Sequence, residues 1–222
     1  MSLVIEWVHP RLGSVRRFLT PVLLALMGGL MFVALADAVP ERDGLTSVDG
    51  PVSTWFAATR STEVGHLGLL VARATSPAVV LVAVIAVALL LWRRRMRLES
   101  TLLAAATLTA FAGGAIVKYV EGRARPMAPI NLAPQAEPSF PSGHVLVMST
   151  VLLVGLVLAW AYLSSRGRLV ATAAAMSGVL IVTLDRLVVG AHWATDVLAS
   201  LSLTAIIVAA TLIAVRLLRS PA

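Results

Sequence analysis

The sequence predicts an all-α integral membrane protein in which residues 1–222 form one bundle of six transmembrane helices. Of the 222 residues, 59% are hydrophobic and only 13% are charged, and the mean hydropathy is +0.91. Soluble domains average about 45–50% apolar and about 25% charged residues. A soluble core could not bury this excess, so the composition excludes soluble, disordered and disulfide-stabilised secreted classes. The chain has no cysteine, which also excludes thiolate catalysis and cysteine-ligated metals.

Six segments are long enough to cross the hydrocarbon core of a bilayer, which takes about 20 apolar residues per helix. They cover approximately residues 19–39, 66–92, 99–120, 144–163, 169–189 and 195–217. Ala, Leu and Val dominate all six, and none shows the alternation of a barrel strand. The segments are therefore predicted to be helices, with small residues available for close helix contacts.

The first span has two interpretations. Three arginines precede it, and its apolar stretch reaches Ala34-Leu35-Ala36, a pattern also found in cleavable signal peptides. The stretch is longer than the apolar core of a signal peptide, which favours an uncleaved anchor.

The segment between the first two spans, residues 40–65, has apolar and small residues at near-helical spacing. They are Val48, Val52, Trp55, Phe56 and Thr59. The segment is either an amphipathic helix at the membrane interface or an ordinary loop.

The basic residues predict the orientation of the bundle. Eleven of the 18 lie on the side of the N-terminus. These are Arg11, Arg16, Arg17, Arg93, Arg94, Arg95, Arg97, Arg166, Arg168, Arg216 and Arg219. The positive-inside rule places this side, and therefore both termini, in the cytoplasm of a multi-pass protein of the cell membrane. The net charge of +7, which in a soluble chain would suggest nucleic-acid binding, thus has its explanation in topology, and no nucleic-acid partner is expected.

Polar and ionisable residues are concentrated in three clusters, at residues 118–126, 139–144 and 185–196. Spans three and five end on the side where spans four and six begin. Alternation of the spans therefore brings all three clusters to one membrane face, the external one. Because charges at membrane depth are costly, such a concentration indicates a functional site.

The cations of these clusters suit a phosphoryl group. Lys118, Arg125 and Arg186 supply three positive charges, and Arg and Lys are the usual protein ligands of phosphate. Lys118 and Arg125 are about two helical turns apart, so they can share one face. Ser142 and Gly143 precede the fourth span, where a hydroxyl and backbone N–H groups can bind an anion at a helix N-terminus.

Two histidines supply the groups that phosphoryl transfer requires. His192 and Asp196 are i, i+4 near the start of the sixth span, so the carboxylate can fix the imidazole tautomer and leave the other nitrogen nucleophilic. His144 lies on another helix and can protonate a leaving oxygen. These residues predict transfer through a phosphohistidine. The alternative, a metal held by His144 and His192, is disfavoured by the three nearby cations.

The three clusters read Lys-x6-Arg-Pro, Pro-Ser-Gly-His and Arg-x5-His-x3-Asp, and in this order they resemble the type 2 phosphatidic acid phosphatase superfamily. That superfamily includes membrane lipid phosphatases, glucose-6-phosphatase and vanadium haloperoxidases. The resemblance implies phosphate binding by Lys118, Arg125, Ser142, Gly143 and Arg186. It implies a general acid, a nucleophile and its partner in His144, His192 and Asp196. It further implies that no metal or other cofactor is needed.

Two further residues have open roles. Arg123 matches a frequent extra basic residue of the first motif, so it is a possible accessory group. Asp185 stands where the family usually has Ser or another small residue. It could pair with Arg186 and orient it, or weaken its hold on phosphate. Adjacent helical residues point about 100° apart, so Asp185 could also face elsewhere. The Pro-rich loop 126–141 is expected to cover the site.

The expected activity is metal-independent hydrolysis of a lipid phosphate or pyrophosphate, with membrane lipids as the other partners. An external site suits the recycling of a carrier lipid, which favours undecaprenyl or another polyprenyl pyrophosphate over phosphatidylglycerophosphate and phosphatidic acid. A lipid phosphotransferase is one alternative. A phosphate-lipid binding protein or transporter without turnover is another.

Overall fold

A computed structural model of the chain describes residues 3–41 and 44–219, with side chains for 18–40 and 44–219. The described residues contain eight α-helices: α1 (Leu3–Glu41), α2 (Asp49–Thr59), α3 (Thr62–Ala74), α4 (Pro77–Arg93), α5 (Arg97–Glu121), α6 (Gly143–Ala159), α7 (Ser165–Val188) and α8 (Ala194–Leu218). Short 3-10 helices cover Gly44–Val48 and Trp160–Tyr162. Arg11, Arg16 and Arg17 contribute to the predicted cytoplasmic location of the N-terminus, and their side chains lie outside the described part.

Five helices are each long and apolar enough to cross a membrane: α5, α6 with its 3-10 extension, α7, α8 and the Phe18–Pro40 part of α1. Helices α3 and α4 meet the same criteria only as a pair, bent by 43°, and counted as one broken span they bring the number to six. The all-helical membrane fold is thereby confirmed. The second span, which hydropathy predicts as continuous, is broken instead. Pro77 lacks the N–H that a continuous helix would use, and the Ser76 hydroxyl accepts the Val79 N–H at 3.4 Å to begin α4.

Helix α6 lies at the centre of the bundle and contacts α4, α5, α7 and α8, while α1 packs along α8. Small residues allow the close approaches. A Cβ on Gly114 of α5 would lie 2.8 Å from the Leu146 side chain, and one on Gly178 of α7 would lie 2.7 Å from Leu152. Glycine at such positions lets helix backbones approach closely, which is how membrane helices pack.

The segment between the first two predicted spans contains a helix, α2, and the residues of α2 that are fully buried are polar. Asp49 and Ser53 are buried, whereas Trp55 is 60% exposed. Helix α2 contacts α7 and α8. It therefore lies across the ends of the bundle with a polar side turned inward.

The loop after α5 is held against the turn between α7 and α8. Gly190 in that turn has φ +68°, and a Cβ there would lie 2.2 Å from the carbonyl oxygen of Ile130. Only glycine combines this backbone conformation with so close an approach. The Arg60 guanidinium joins the same segments, because it donates to the carbonyls of Ile130 at 2.7 Å, Val188 at 2.9 Å and Pro129 at 2.9 Å.

Candidate active site

The three sequence clusters meet at one end of the bundle, called the site end below. The His192 ring contacts the Ser139 carbonyl through Nδ1 at 2.8 Å, and the Ser139 N–H donates to the Arg123 carbonyl at 2.8 Å. The Ser142 N–H donates to the Asp196 carbonyl at 3.4 Å. Direct hydrogen bonds therefore join all three clusters, although the residues that they connect are far apart in sequence.

His192 lies in the turn before α8 and is 1% exposed. Its Nδ1 is 2.8 Å from the Ser139 carbonyl oxygen and 3.4 Å from Asp196 Oδ2. Its Nε2 is 3.1 Å from Arg125 Nη1. A carbonyl can only accept and a guanidinium can only donate, so both neighbours require the proton on Nδ1 and the lone pair on Nε2. The sequence assigned this orienting role to Asp196, and the nearer partner is the Ser139 carbonyl.

The surroundings of His192 keep its imidazole neutral. Burial lowers the pKa to about 4, and the charges of Arg125 and Lys118 act in the same direction, against the opposing effect of Asp196. At neutral pH the ring therefore presents an unprotonated Nε2 to Arg125, which is the form that a nucleophile needs.

Lys118 and Arg125 are held by backbone carbonyls. The Lys118 ammonium donates to the Pro138 carbonyl at 2.6 Å. Arg125 donates to Glu137 O at 2.7 Å, Ala191 O at 2.9 Å and Pro138 O at 3.4 Å. Carbonyls satisfy the donors without cancelling the charge, so both cations remain available to an anion. Burial lowers the pKa of Arg125, and the Arg186 charge lowers it further, which places a third cation near the same point.

The N-terminus of α6 adds uncharged donors. Ser142 is fully buried, and its hydroxyl has no hydrogen-bond partner among the described residues. A Cβ on Gly143 would lie 3.9 Å from Lys118 Cε, so this helix start adjoins the ammonium group. A buried hydroxyl without a partner costs about 1–3 kcal/mol, which a bound anion at the helix N-terminus would offset.

His144, in the first turn of α6, faces the break between α3 and α4. It is 8% exposed, and its Nε2 lies 3.1 Å from the Ala72 carbonyl oxygen. That carbonyl can only accept, so Nε2 carries the proton. Nδ1 is then the ring nitrogen that can exchange a proton with a bound molecule.

Asp185 pairs with Arg186, which is the first of the alternatives drawn from the sequence. Arg186 is 1% exposed, and its Nε donates to Asp185 Oδ2 at 2.9 Å while Nη2 contacts the same oxygen. Within the described part of the chain, Nη1 of Arg186 has no acceptor, so it can bind one from a ligand. The carboxylate therefore orients the guanidinium and also offsets part of its charge.

Arg123 has a different environment from the cations described above. It donates to Asp196 Oδ1 at 2.5 Å, to Asp49 Oδ2 at 2.6 Å and to the Thr195 hydroxyl at 2.8 Å. Two carboxylates therefore hold this guanidinium, which makes it part of a network behind Asp196. The sequence motifs gave no indication of Asp49, which lies outside all three clusters, or of Thr195, which occupies an unspecified position of the third motif. An acidic residue at a helix start ordinarily indicates only a favourable terminal charge.

Among the described residues, no three side chains of the types that ligate metals are grouped closely enough to hold an ion.

The fold and the buried cations define a multi-pass membrane protein with a cationic polar site at one end of its bundle. The sequence model of the PAP2 superfamily matches residues 99–219, more than half of the chain, and the chain belongs to that superfamily. It is a membrane lipid phosphate phosphatase of the PAP2 family.

One solved structure supports the fold assignment. It is a transmembrane PAP2-type phosphatidylglycerolphosphate phosphatase from Bacillus subtilis, with a TM-score of 0.77 and 20% sequence identity. The match covers 88% of this chain and 97% of that one. At this identity the similarity concerns the fold. Comparison with curated proteins found no match.

Proposed function

We propose that this protein hydrolyses a lipid phosphate or pyrophosphate through a phosphohistidine on His192, without a metal ion. One observation carries the proposal. His192 is buried and neutral, and its Nε2 lone pair lies 3.1 Å from Arg125 Nη1. The other hydrogen-bond partners of Arg125 are backbone carbonyls. A phosphoryl group bound by the cations would have its phosphorus beside that lone pair.

The cations bind the phosphoryl oxygens in this mechanism. Lys118 and Arg125 exchange their carbonyl partners for phosphate oxygens, because charged hydrogen bonds are stronger than those to neutral acceptors. Arg186 contributes Nη1, while the Ser142 hydroxyl and the Gly143 N–H donate to the remaining oxygens. The negative charge that develops on these oxygens in the transition state is stabilised by fixed donors in a largely buried site.

The first chemical step transfers the phosphoryl group to the enzyme. The Nε2 lone pair of His192 forms the P–N bond as the P–O bond to the lipid breaks. His144 takes up a proton at Nδ1 as the anionic phosphate binds, and it gives that proton to the departing oxygen. The Ser139 carbonyl and Asp196 hold the Nδ1–H of His192 while its ring becomes positively charged.

The second step regenerates the enzyme. Water forms a new P–O bond, the P–N bond breaks, and His144 takes the proton from the attacking water. Inorganic phosphate leaves, His192 is again neutral, and the proton held by His144 departs with the product. The same residue serves as acid and then as base, as microscopic reversibility requires.

We propose a polyprenyl pyrophosphate as the preferred substrate, since the arginine distribution predicts an external site and a carrier lipid is recycled on that side. Phosphatidylglycerophosphate is the main rival, because the Bacillus subtilis protein of similar fold is a phosphatidylglycerolphosphate phosphatase. The test measures inorganic phosphate released by purified protein from polyprenyl pyrophosphate, phosphatidylglycerophosphate and phosphatidic acid, with and without EDTA. Hydrolysis unaffected by EDTA is expected, fastest with the pyrophosphate. A different order would reassign the substrate, and inhibition by EDTA would contradict the metal-free mechanism.

The same assay separates the other candidate functions. A phosphotransferase would form a new phosphorylated lipid in place of free phosphate. A binding protein or transporter would show no turnover, and His192→Ala would leave its function intact.

The orientation has its own test, because the chain has no native cysteine. Ala136 is exposed in the loop after α5, and Ser165 is exposed at the first residue of α7, at the opposite end of the bundle. A membrane-impermeant maleimide should label Ala136→Cys in intact cells and Ser165→Cys only after lysis. The reverse pattern would place the site on the cytoplasmic side.

A further inference from the structure

Asp49 lies at the start of α2, outside the three motifs and outside residues 99–219. We propose that Asp49 is a positioning residue for the reaction: it shares Arg123 with Asp196, so that Asp196 keeps a negative charge beside His192. This inference rests on the proposed function, since it assigns His192 as the group that becomes positively charged.

The contacts form a continuous chain from α2 to the imidazole. Asp49 is 3% exposed, and its Oδ2 accepts from Arg123 Nη2 at 2.6 Å. Arg123 Nη1 donates to Asp196 Oδ1 at 2.5 Å. The other Asp196 oxygen accepts the Trp193 N–H at 3.0 Å and lies 3.4 Å from His192 Nδ1.

Asp49 also holds the helix that carries Asp196. It accepts the Thr195 N–H through Oδ1 at 2.9 Å and the Thr195 hydroxyl through Oδ2 at 2.6 Å. These bonds satisfy an orphan donor in the first turn of α8 from a residue 146 positions away in sequence. Asp49 therefore fixes both the cation and the helix start that determine where Asp196 lies.

The charges of this network explain why two carboxylates are needed. Asp49, Arg123 and Asp196 together carry a net charge of −1. Without Asp49, the guanidinium would neutralise Asp196 completely. The His192 ring would then become positive beside the cations Lys118 at the end of α5, Arg125 in the following loop and Arg186 on α7. The other carboxylates of this region act on those cations, since Glu137 interacts with Lys118 and Arg125, and Asp185 pairs with Arg186. His144 on α6 is the remaining titratable group within electrostatic reach of the His192 ring.

The decisive comparison uses three variants that differ in network charge. Asp49→Asn leaves a net charge of 0, Arg123→Gln leaves −2, and the double variant Asp49→Asn/Arg123→Gln restores −1. Asp49→Asn should lower kcat about tenfold, equivalent to about 1.4 kcal/mol of lost transition-state stabilisation. KM should stay within about threefold, because Asp49 does not contact the phosphate-binding residues.

The matched control is Ser53→Ala. Ser53 lies one turn after Asp49 on the same buried side of α2, and its hydroxyl has no hydrogen-bond partner among the described residues. This variant alters the packing of the same helix and leaves the network charge unchanged, so its kcat should match the wild type.

A second readout does not require turnover. The chain has four histidines, so ¹⁵N-histidine NMR of the full-length protein in detergent can follow His192, assigned by comparison with His192→Ala. The pKa of His192 should be lowest in Asp49→Asn, highest in Arg123→Gln, and close to wild type in the double variant. If Asp49 only stabilises the local structure, the pKa of His192 in the double variant should instead differ from the wild-type value at least as much as in either single variant.

The inference is overturned if Asp49→Asn leaves kcat unchanged, or if the double variant does not return the pKa of His192 toward wild type. If Arg123→Gln does not fold, Asp49→Asn and the double variant still provide the test. If the wild-type protein releases no phosphate from any lipid, the proposed function is wrong. The NMR titration of His192 would still test whether Asp49 controls the charge beside that ring.

Discussion

Arginine residues are buried or half-buried at both ends of this bundle, and their partners differ. At the site end, Arg125 donates to the carbonyls of Glu137, Pro138 and Ala191. At the opposite end, Arg219 is paired with the Glu99 carboxylate at 2.6 Å, and the Tyr162 hydroxyl donates to the same oxygen at 2.6 Å. The first arrangement leaves a positive charge available to a ligand, whereas the second compensates it.

Aromatic rings complete the arrangement at the opposite end. The guanidinium carbons of Arg97, Arg168 and Arg219 lie 5.2–5.7 Å from the ring centroids of Trp92, Trp160 and Tyr162. Aromatic residues and arginines in such contacts are typical of anchors at a membrane interface. The partners of Arg125 and Arg219 therefore distinguish a cation that is open to a ligand from one that is compensated. Arg186 and Arg123 at the site end are also paired with carboxylates, so the contrast concerns Arg125 in particular.

Removing the nucleophile at the site end should cause the largest loss of activity. His192→Ala should lower kcat by roughly 10⁴-fold or more, because loss of a nucleophile removes the covalent path while leaving substrate binding in place. Phosphate release from the preferred lipid measures this. The variant should keep the thermal unfolding midpoint of the wild type within a few degrees, and activity near the wild-type level would contradict the mechanism.

Removing one uncompensated cation should have the next largest effect. Arg125→Gln should lower kcat roughly 10²–10³-fold, as expected for the loss of one donor to a developing anion. It should also raise the pKa of His192, because the Arg125 charge helps to lower that pKa to about 4. His192 reacts in its neutral form, so activity is lost as pH falls through this pKa. The acid limb of kcat/KM should therefore move to higher pH.

Arg125→Lys is the control for charge. It keeps the positive charge and loses the guanidinium geometry, so its rate should fall while the acid limb stays near the wild-type position. An acid limb that moves equally in both variants would show that the Arg125 charge does not act on His192.

A backbone change at the site end should have a smaller effect. Gly190→Ala forces a side chain into the left-handed region, against the Ile130 carbonyl. It should lower the unfolding midpoint by several degrees and kcat about tenfold, since Ala191, the next residue, binds Arg125. Gly113→Ala is the matched control, because a Cβ there meets no atom within 4 Å. Equal effects of the two substitutions would contradict the role of this turn.

The fold was predictable because its signals are local. Span length, hydropathy and the positions of charges identify membrane helices, and alternation of the spans places residues 118–126, 139–144 and 185–196 together. The interruption at Thr75 and Ser76 was not predicted, because hydropathy continues across it. The Ser76-Pro77 pair was the available signal, since a serine cap followed by proline is typical of a helix start.

The contacts within the site were less predictable. Every residue has a backbone carbonyl, so nothing in the sequence distinguishes Ser139 as the one that holds His192. Asp49 and Arg123 are 74 residues apart and join through tertiary structure alone. The motifs predicted candidate side chains, and the hydrogen bonds of each candidate could be read only from the geometry.

The smallest effect is expected at the opposite end. Glu99→Gln keeps an acceptor for Tyr162 and removes the charge that pairs with Arg219. Phosphate release should stay within about twofold of wild type, because substitutions away from a site rarely change function. The unfolding midpoint should fall slightly. A large loss of activity would contradict the division of the bundle into a binding end and an anchoring end.

The proposed phosphohistidine on His192 is tested most directly by trapping it. Wild-type protein is mixed with a ³²P-labelled lipid phosphate, quenched in alkali within milliseconds, and digested for mass spectrometry. The mechanism predicts an acid-labile, alkali-stable phosphoryl group on Nε2 of His192, absent from His192→Ala. Turnover by the wild type with no such label, or a label that persists in His192→Ala, would contradict it.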